Sequence, residues 1–246
     1  MGESLLVTSG KGGVGKSTFA VNCGAALARM GRRVLLIDGD AGLRALDLML
    51  SVSDRVVYDL ADVLGGRCEP IKAIVKTDIG GLSLLPAPLD AQDGIFEPGG
   101  MQQLCRGLRK YYDYVVIDSA AGIGECMRTS ACAADRAVVV STPDPVSVRD
   151  ADRAASVVLA QGVGSARLVL NRVVPRLMKA GAACSLDAAI DGTSLQLIGA
   201  VPEDEKIAEA AFKGVPAVIL GNSPAARAFC NIARRLEGGS VPLLRF

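Results

Sequence analysis

Lys11 and Lys16 lie in one glycine-rich stretch, SGKGGVGKST at residues 9–18, and lysine among glycines is the chemistry of phosphate binding. Gly10, Gly15, Lys16 and Ser17 satisfy the spacing G-x-x-x-x-G-K-[ST]. In that pattern successive backbone N–H groups, here from Gly10 through Gly12, Gly13, Val14 and Gly15 to Thr18, cradle phosphate oxygens. Lys16 then reaches the β- and γ-phosphates, and the Ser17 hydroxyl is placed to ligate Mg²⁺. ATP with Mg²⁺ is the expected ligand, and hydrolysis of ATP the expected reaction. With Lys16 in that role, Lys11 cannot easily fold back onto the same phosphates. It is better placed to reach outward across an interface, as an arginine finger does.

Carboxylates are the other half of such a site. Two apolar runs end in aspartate, Leu36-Ile37-Asp38-Gly39-Asp40 and Val115-Val116-Ile117-Asp118. Mg²⁺ keeps several waters and needs few carboxylates, so an aspartate closing a buried strand can hold it. Asp118, followed by the Ala121-Gly122 turn, is assigned that role with Ser17, and Asp38 is placed at the same metal. Asp38 and Asp40 lie beside the phosphates if their strand neighbours the loop. One of them orients the attacking water, and Asp40, further out, is the better placed. Lys11, Lys16 and Asp40 are thus the catalytic candidates.

These residues need a scaffold that brings strand ends together. Short apolar runs alternate with longer amphipathic stretches, which argues for a three-layer α/β fold: a mostly parallel twisted sheet with helices on both faces. Strands are expected at Leu5–Ser9, Arg33–Asp38, Leu82–Pro86, Tyr114–Asp118, Ala137–Thr142, Arg167–Asn171 and Leu197–Val201. Helices are expected at Ser17–Met30, Gly100–Tyr111, Val146–Ala160, Ser185–Ile190, Glu205–Phe212 and Pro224–Leu236, with Gly31 and Gly162 as stops. Val173–Ala183 reads as a surface loop. In open parallel sheets ligands sit beyond the carboxyl ends of the strands, which is where the lysines and aspartates fall.

Composition narrows the chemistry. The 246 residues are 50% hydrophobic, enough for one large core, so a single domain over 1–246 is expected. Net charge is +1, which points to neither nucleic acid nor a charged surface. No apolar run approaches about 18 residues and the N-terminus lacks the regions of a signal peptide, so a cytoplasmic protein is expected. The absence of histidine excludes Ser-His and Cys-His catalysis. The 7 cysteines never approach C-x-x-C spacing, which disfavours a zinc ribbon; Cys126 and Cys132 alone are held back as a pair.

GKGGVGKST, with its lysine directly after the first glycine, resembles the deviant phosphate loop of the ParA/MinD group of ATPases. DGDAGLRALDLML at Asp38–Leu50 and DSAAGIGE at Asp118–Glu125 are similar to the two switch segments of the MinD branch. Ala120 departs from the proline common there. The resemblance implies a slow, partner-stimulated ATPase that dimerises around two ATP molecules, with Lys11 touching the partner's nucleotide. It implies adenine-facing loops at Asn171-Arg172 and at Pro202-Glu203-Asp204. It also implies that the helix bearing Arg149, Asp152 and Arg153 binds division-inhibitor and topological-factor proteins like MinC and MinE. Membrane association at the inner face of the cell membrane belongs to that picture. MinD proteins end in an amphipathic helix, however, and Gly238, Gly239 and Pro242 leave too few residues for one before Phe246. Ala225–Leu236 is amphipathic but reads as a helix packed on its own domain.

Rival readings keep the phosphate loop and change the use. A ParA-like segregation ATPase would need a basic surface, for which Arg149, Arg153, Arg167, Arg172 and Arg176 would have to cluster. A flagellar-number regulator shares the switch chemistry. An iron–sulfur carrier would hold a cluster through Cys126 and Cys132.

Overall fold

The computed structural model describes residues 2–90 and 97–243. Of the tail reasoned about above, residues 244–246 lie outside the described residues. The chain runs β1 (Glu3–Thr8), α1 (Lys16–Arg29), β2 (Val34–Gly39), α2 (Leu46–Met49), a 3-10 turn at Ser53–Arg55, α3 (Leu60–Leu64), α4 (Pro70–Ala73), β3 (Val75–Lys76) and β4 (Leu82–Leu85). It continues through α5 (Pro98–Leu108), β5 (Tyr114–Ser119), α6 (Glu125–Cys132), β6 (Arg136–Ser141), α7 (Pro145–Ala160) and β7 (Ser165–Val173). Then come α8 (Pro175–Lys179), α9 (Leu186–Thr193), β8 (Gln196–Pro202), α10 (Glu205–Lys213), α11 (Ala217–Leu220) and α12 (Pro224–Leu236).

The strands form one sheet in the order β3-β4-β2-β5-β1-β6-β7-β8. Only the short β3 pairs antiparallel, with β4. β2 and β5 are buried from end to end, which explains their nearly unbroken apolar sequence. Their alternation still sorts side chains between two layers. Leu5, Val7, Leu36 and Val116 join α1 and α12 on one face. Leu6, Leu35, Ile37, Val115 and Ile117 join α5 and α6 on the other. A third cluster fills the space between α7, α9 and β6–β8. The expected three layers are therefore present.

Local chemistry sets several ends. The Asp144 and Ser223 side chains accept from the N–H groups of Ser147 and Ala226, and each is followed by proline at the first helical position. Gly31 and Gly162 carry φ of 84° and 89° and close α1 and α7 as expected.

Two expectations are corrected. Val173–Ala183 is not simply a loop, because Pro175 starts the short α8. The elements α2, α3, α4, α6, α11 and β3 were not among those expected; α6 spans only about two turns, and the others, at two to five residues, are too short to show a period. The condition placed on Asp38 and Asp40 is met across β5, which lies between β2 and β1 and pairs with both.

The two largest fully buried side chains among the described residues, Phe19 and Phe229, join α1 to α12 with ring centroids 6.1 Å apart and planes tilted by 56°. Phe229→Ala removes that contact and leaves a cavity, at an expected cost of about 3–5 kcal/mol. A lower urea midpoint at unchanged m-value checks it.

Candidate functional site

The phosphate loop joins β1 to α1 at the carboxyl edge of the sheet. Gly15 takes φ 90°, a left-handed conformation that glycine adopts without cost, and turns the chain into α1. No side chain caps that helix, so its first N–H groups remain available to an anion. The loop is also held from outside. Asn171 Nδ2 donates to the Val14 carbonyl at 2.8 Å, and Gly122 N–H donates to the Ser9 carbonyl at 2.9 Å. A Cβ on Gly10 would stand 2.0 Å from the Asp150 carbonyl oxygen, so only glycine lets the loop lie against α7.

Register explains how the aspartates arrive. Val7 pairs with Asp118 across β1 and β5, and Asp118 pairs with Asp38 across β5 and β2. Lys16, almost fully buried, donates from Nζ to Asp118 Oδ1 at 2.9 Å and stands 3.9 Å from Asp40 Oδ2. Its Nζ is also 3.4 Å from Ser17 Oγ. Asp118 Oδ2 is buried and meets no donor at hydrogen-bond distance. An uncapped helix start, a hydroxyl and an orphaned carboxylate oxygen side by side are what a phosphate-bound Mg²⁺ with its waters requires. Ser17 and Asp118 fit that group.

Asp38 is engaged differently. Its Oδ1 accepts from Asp40 N–H and its Oδ2 from Leu46 N–H, both at 3.1 Å, so its two oxygens organise the turn after β2. Burial, with the neighbouring Asp118 charge, pushes its carboxyl up to about 7. Asp40 is less buried; burial raises its carboxyl too, and Lys16 pulls it back. The same turn holds a buried ion pair between Arg44 and Asp47 at 2.8 Å.

Lys11 sits on the outer rim, its side chain 46% exposed and 3.9 Å from Asp144 Oδ1. Asp144 was not singled out from the sequence, although aspartate before proline at a helix start is a legible cap signal. It serves as cap to α7 and faces Lys11 at once. On α7, Arg149 and Arg153 are exposed one turn apart, with the partly buried Asp152 between them.

The segments assigned to adenine are placed less simply. Asn171 is buried and commits its Nδ2 to the loop, whereas Arg172 is exposed with φ 55°. Pro202 closes β8, and Glu203 N–H donates to Val173. Asp204 works as a helix cap: its oxygens accept from Lys206 N–H and Ala225 N–H, each at 3.0 Å. Burial raises its carboxyl, but these bonds more than compensate and hold it below the ordinary range. The five arginines do not form one group, because Arg167 lies at the opposite edge of the sheet from Arg172 and from Arg176 on α8. Arg167 stands near the start of β7 and Arg172 near its end, while Arg149 and Arg153 ride on α7.

A family model described as ParA, the NUBPL iron-transfer P-loop NTPases, matches residues 1–237. The septum site-determining protein MinD of Synechocystis is 42% identical over 248 residues, covering 100% of this chain and 93% of that protein. The chain belongs to the MinD family of the ParA group of P-loop NTPases. Among solved structures, MinD in the MinC:MinD complex of Aquifex aeolicus superposes with a TM-score of 0.92 at 38% identity, covering 99% of both chains. MinD of Pyrococcus horikoshii complexed with Mg-ADP gives 0.87 at 30% identity, covering 96% of both chains.

Family membership makes ATP hydrolysis the chemistry of this loop, with control of division-site placement as the function. Cys126 and Cys132 lie six residues apart on α6, about 600° of helical turn, so they leave the helix on different sides. No helix among the described residues is long and apolar enough to cross a membrane.

The Asp38 carboxyl carries a pH dependence. Between about pH 4 and about pH 7 the native carboxyl keeps a proton that the unfolded chain has released. Stability of the protein without nucleotide therefore falls as pH rises through that window and levels off above it. Asp38→Asn should flatten this component in urea melts taken across the range. An unchanged slope would assign the dependence to another group.

Proposed function

We propose that this protein is an ATP-driven dimerisation switch that sets the place of cell division, holding a MinC-like inhibitor while ATP persists and releasing it on hydrolysis. The position of Lys11 carries the reading. Lys16 is buried where it would serve the phosphates of its own loop, while Lys11 is half exposed on the rim, facing the equally exposed Asp144, and can reach across to a second copy. ATP shared in this way makes dimer stability a direct function of the γ-phosphate. The unbroken sheet supports reading residues 1–246 as one ATPase domain.

Each residue has a task in that cycle. The N–H groups from Gly10 to Thr18 receive the phosphates, and Lys16 exchanges the Asp118 carboxylate for phosphate oxygen. Ser17 and Asp118 would hold Mg²⁺, with Asp38 beside them fixing the turn that carries Asp40. An ion held by these residues would supply charge neutralisation to the phosphates. Asp40 orients the attacking water. Asn171, Arg172, Pro202, Glu203 and Asp204 form the wall expected to face adenine.

No histidine is available as a base, so catalysis rests on positioning and charge neutralisation, and turnover is slow until a partner completes the site. The packing of Gly10 on Asp150 and the facing of Lys11 by Asp144 join the loop to α7. Arg149, Asp152 and Arg153 on that helix are the proposed docking residues for MinC-like and MinE-like partners. The protein is taken to work in the cytoplasm and at the inner face of the cell membrane.

Lys11→Ala should leave nucleotide affinity within a few-fold of wild type while abolishing the dimer that ATP and Mg²⁺ induce in size-exclusion chromatography. Normal dimers in that variant would overturn the reading. Asp152→Ala should dimerise normally and lose retention of a MinC-like partner in a pull-down; undiminished retention would remove α7 as the docking helix.

A further inference from the structure

At the opposite edge of the sheet, where β6, β7 and β8 begin, lies a cavity of about 260 Å³. Its charged lining is entirely basic: Arg136 from β6, Arg167 from β7 and Arg235 from α12, with Ser165, Leu5 and Ile198 among the other walls. Pleating explains the convergence. Arg136 pairs with Ser165 across β6 and β7, and Arg167 follows two residues later on the same face. Leu5 and Ile198 belong to the cluster beneath α12, so this is the face that α12 covers.

The charges are not balanced. Arg136 forms an ion pair with Glu3, but among the described residues no carboxylate pairs with Arg167 or Arg235. Arg235 is held rigidly instead by neutral acceptors. Its Nε donates to the Val241 carbonyl at 2.9 Å, Nη1 to Ile198 at 2.8 Å and Nη2 to Pro242 at 2.7 Å. Burial without a carboxylate pulls its pKa below the usual arginine value. Arg167 is exposed and free to turn inward.

We propose that this cavity is a second anion site, binding one phosphate group between the Arg235, Arg167 and Arg136 guanidiniums and independent of the nucleotide loop. Guanidinium forks match the geometry of a tetrahedral oxyanion, and a fixed Arg235 loses little freedom on binding one. The volume lies below the roughly 300 Å³ at which pockets for whole small molecules begin, so the cavity suits a phosphate group better than a nucleotide. Six-residue strands separate it from the phosphate loop by about 20 Å. The phosphate could arrive as the free ion or on a lipid headgroup.

The experiment has two arms, both run with saturating Mg-ADP so that the loop is filled. The first titrates inorganic phosphate against chloride of equal ionic strength, using calorimetry and the melting temperature. The second pellets vesicles of phosphatidylcholine with and without about three parts in ten phosphatidylglycerol. Wild type should bind in at least one arm, and Arg167→Glu, with Arg167→Gln as the milder substitution, should weaken that binding by about tenfold or more. Loss in the phosphate arm identifies the free ion, and loss in the vesicle arm alone identifies a headgroup. Binding untouched by either variant overturns the site, as does binding lost in Lys16→Ala instead, or no binding in wild type. Retention of random duplex DNA lost in Arg167→Glu, with both arms silent, would overturn it in favour of nucleic acid.

Discussion

The buried pair between Lys16 and Asp118 is the interaction around which the rest is arranged. A lysine ammonium with so little exposure needs a charge beside it, because burial of an unpaired ion is far costlier than burial of a pair. That charge comes from a strand more than a hundred residues away, which must lie directly against the strand carrying the phosphate loop. The placement of β5 between β2 and β1 answers this need and also brings Asp38 next to Asp118. Two carboxyls and one ammonium then share a dry site. The protonated tendency of Asp38 follows from its burial first and from the neighbouring Asp118 charge second.

A second consequence reaches the surface. The loop is pressed on α7 at a point where only a missing side chain permits contact, Gly10 against the Asp150 carbonyl. Close-packed contacts of this kind transmit displacement because they have no slack. Asp144 adds an electrostatic link at the start of the same helix, facing Lys11. A change at the phosphates has a short mechanical route to Arg149, Asp152 and Arg153. The proposed signal needs no large motion.

Much of this was legible in the residues because the chemistry is local. The phosphate loop, the aspartates at strand ends and the proline-started helices each fit within a few consecutive positions. What escaped was either too short or too distributed. The four- and five-residue helices show no period, and the two-residue β3 shows none either. Asp204 reads as a candidate ligand in sequence, yet in space it caps α10 and binds the start of α12. Asp144 escaped for the opposite reason: its local role as a cap was plain, and nothing nearby revealed Lys11.

The condition set on Asp38 and Asp40, that their strand end lie beside the loop, is met through the intervening β5, with Asp40 3.9 Å from Lys16. Sequence alone determined the kind of chemistry, since phosphate binding is written in contiguous backbone and the absence of histidine narrows the means of hydrolysis. Strand order, the engagement of Lys16 with Asp118 and the basic cavity formed by Arg136, Arg167 and Arg235 were decided only by tertiary structure. Those features join residues from separate elements, and a linear pattern carries no signal of which parallel strand lies beside which.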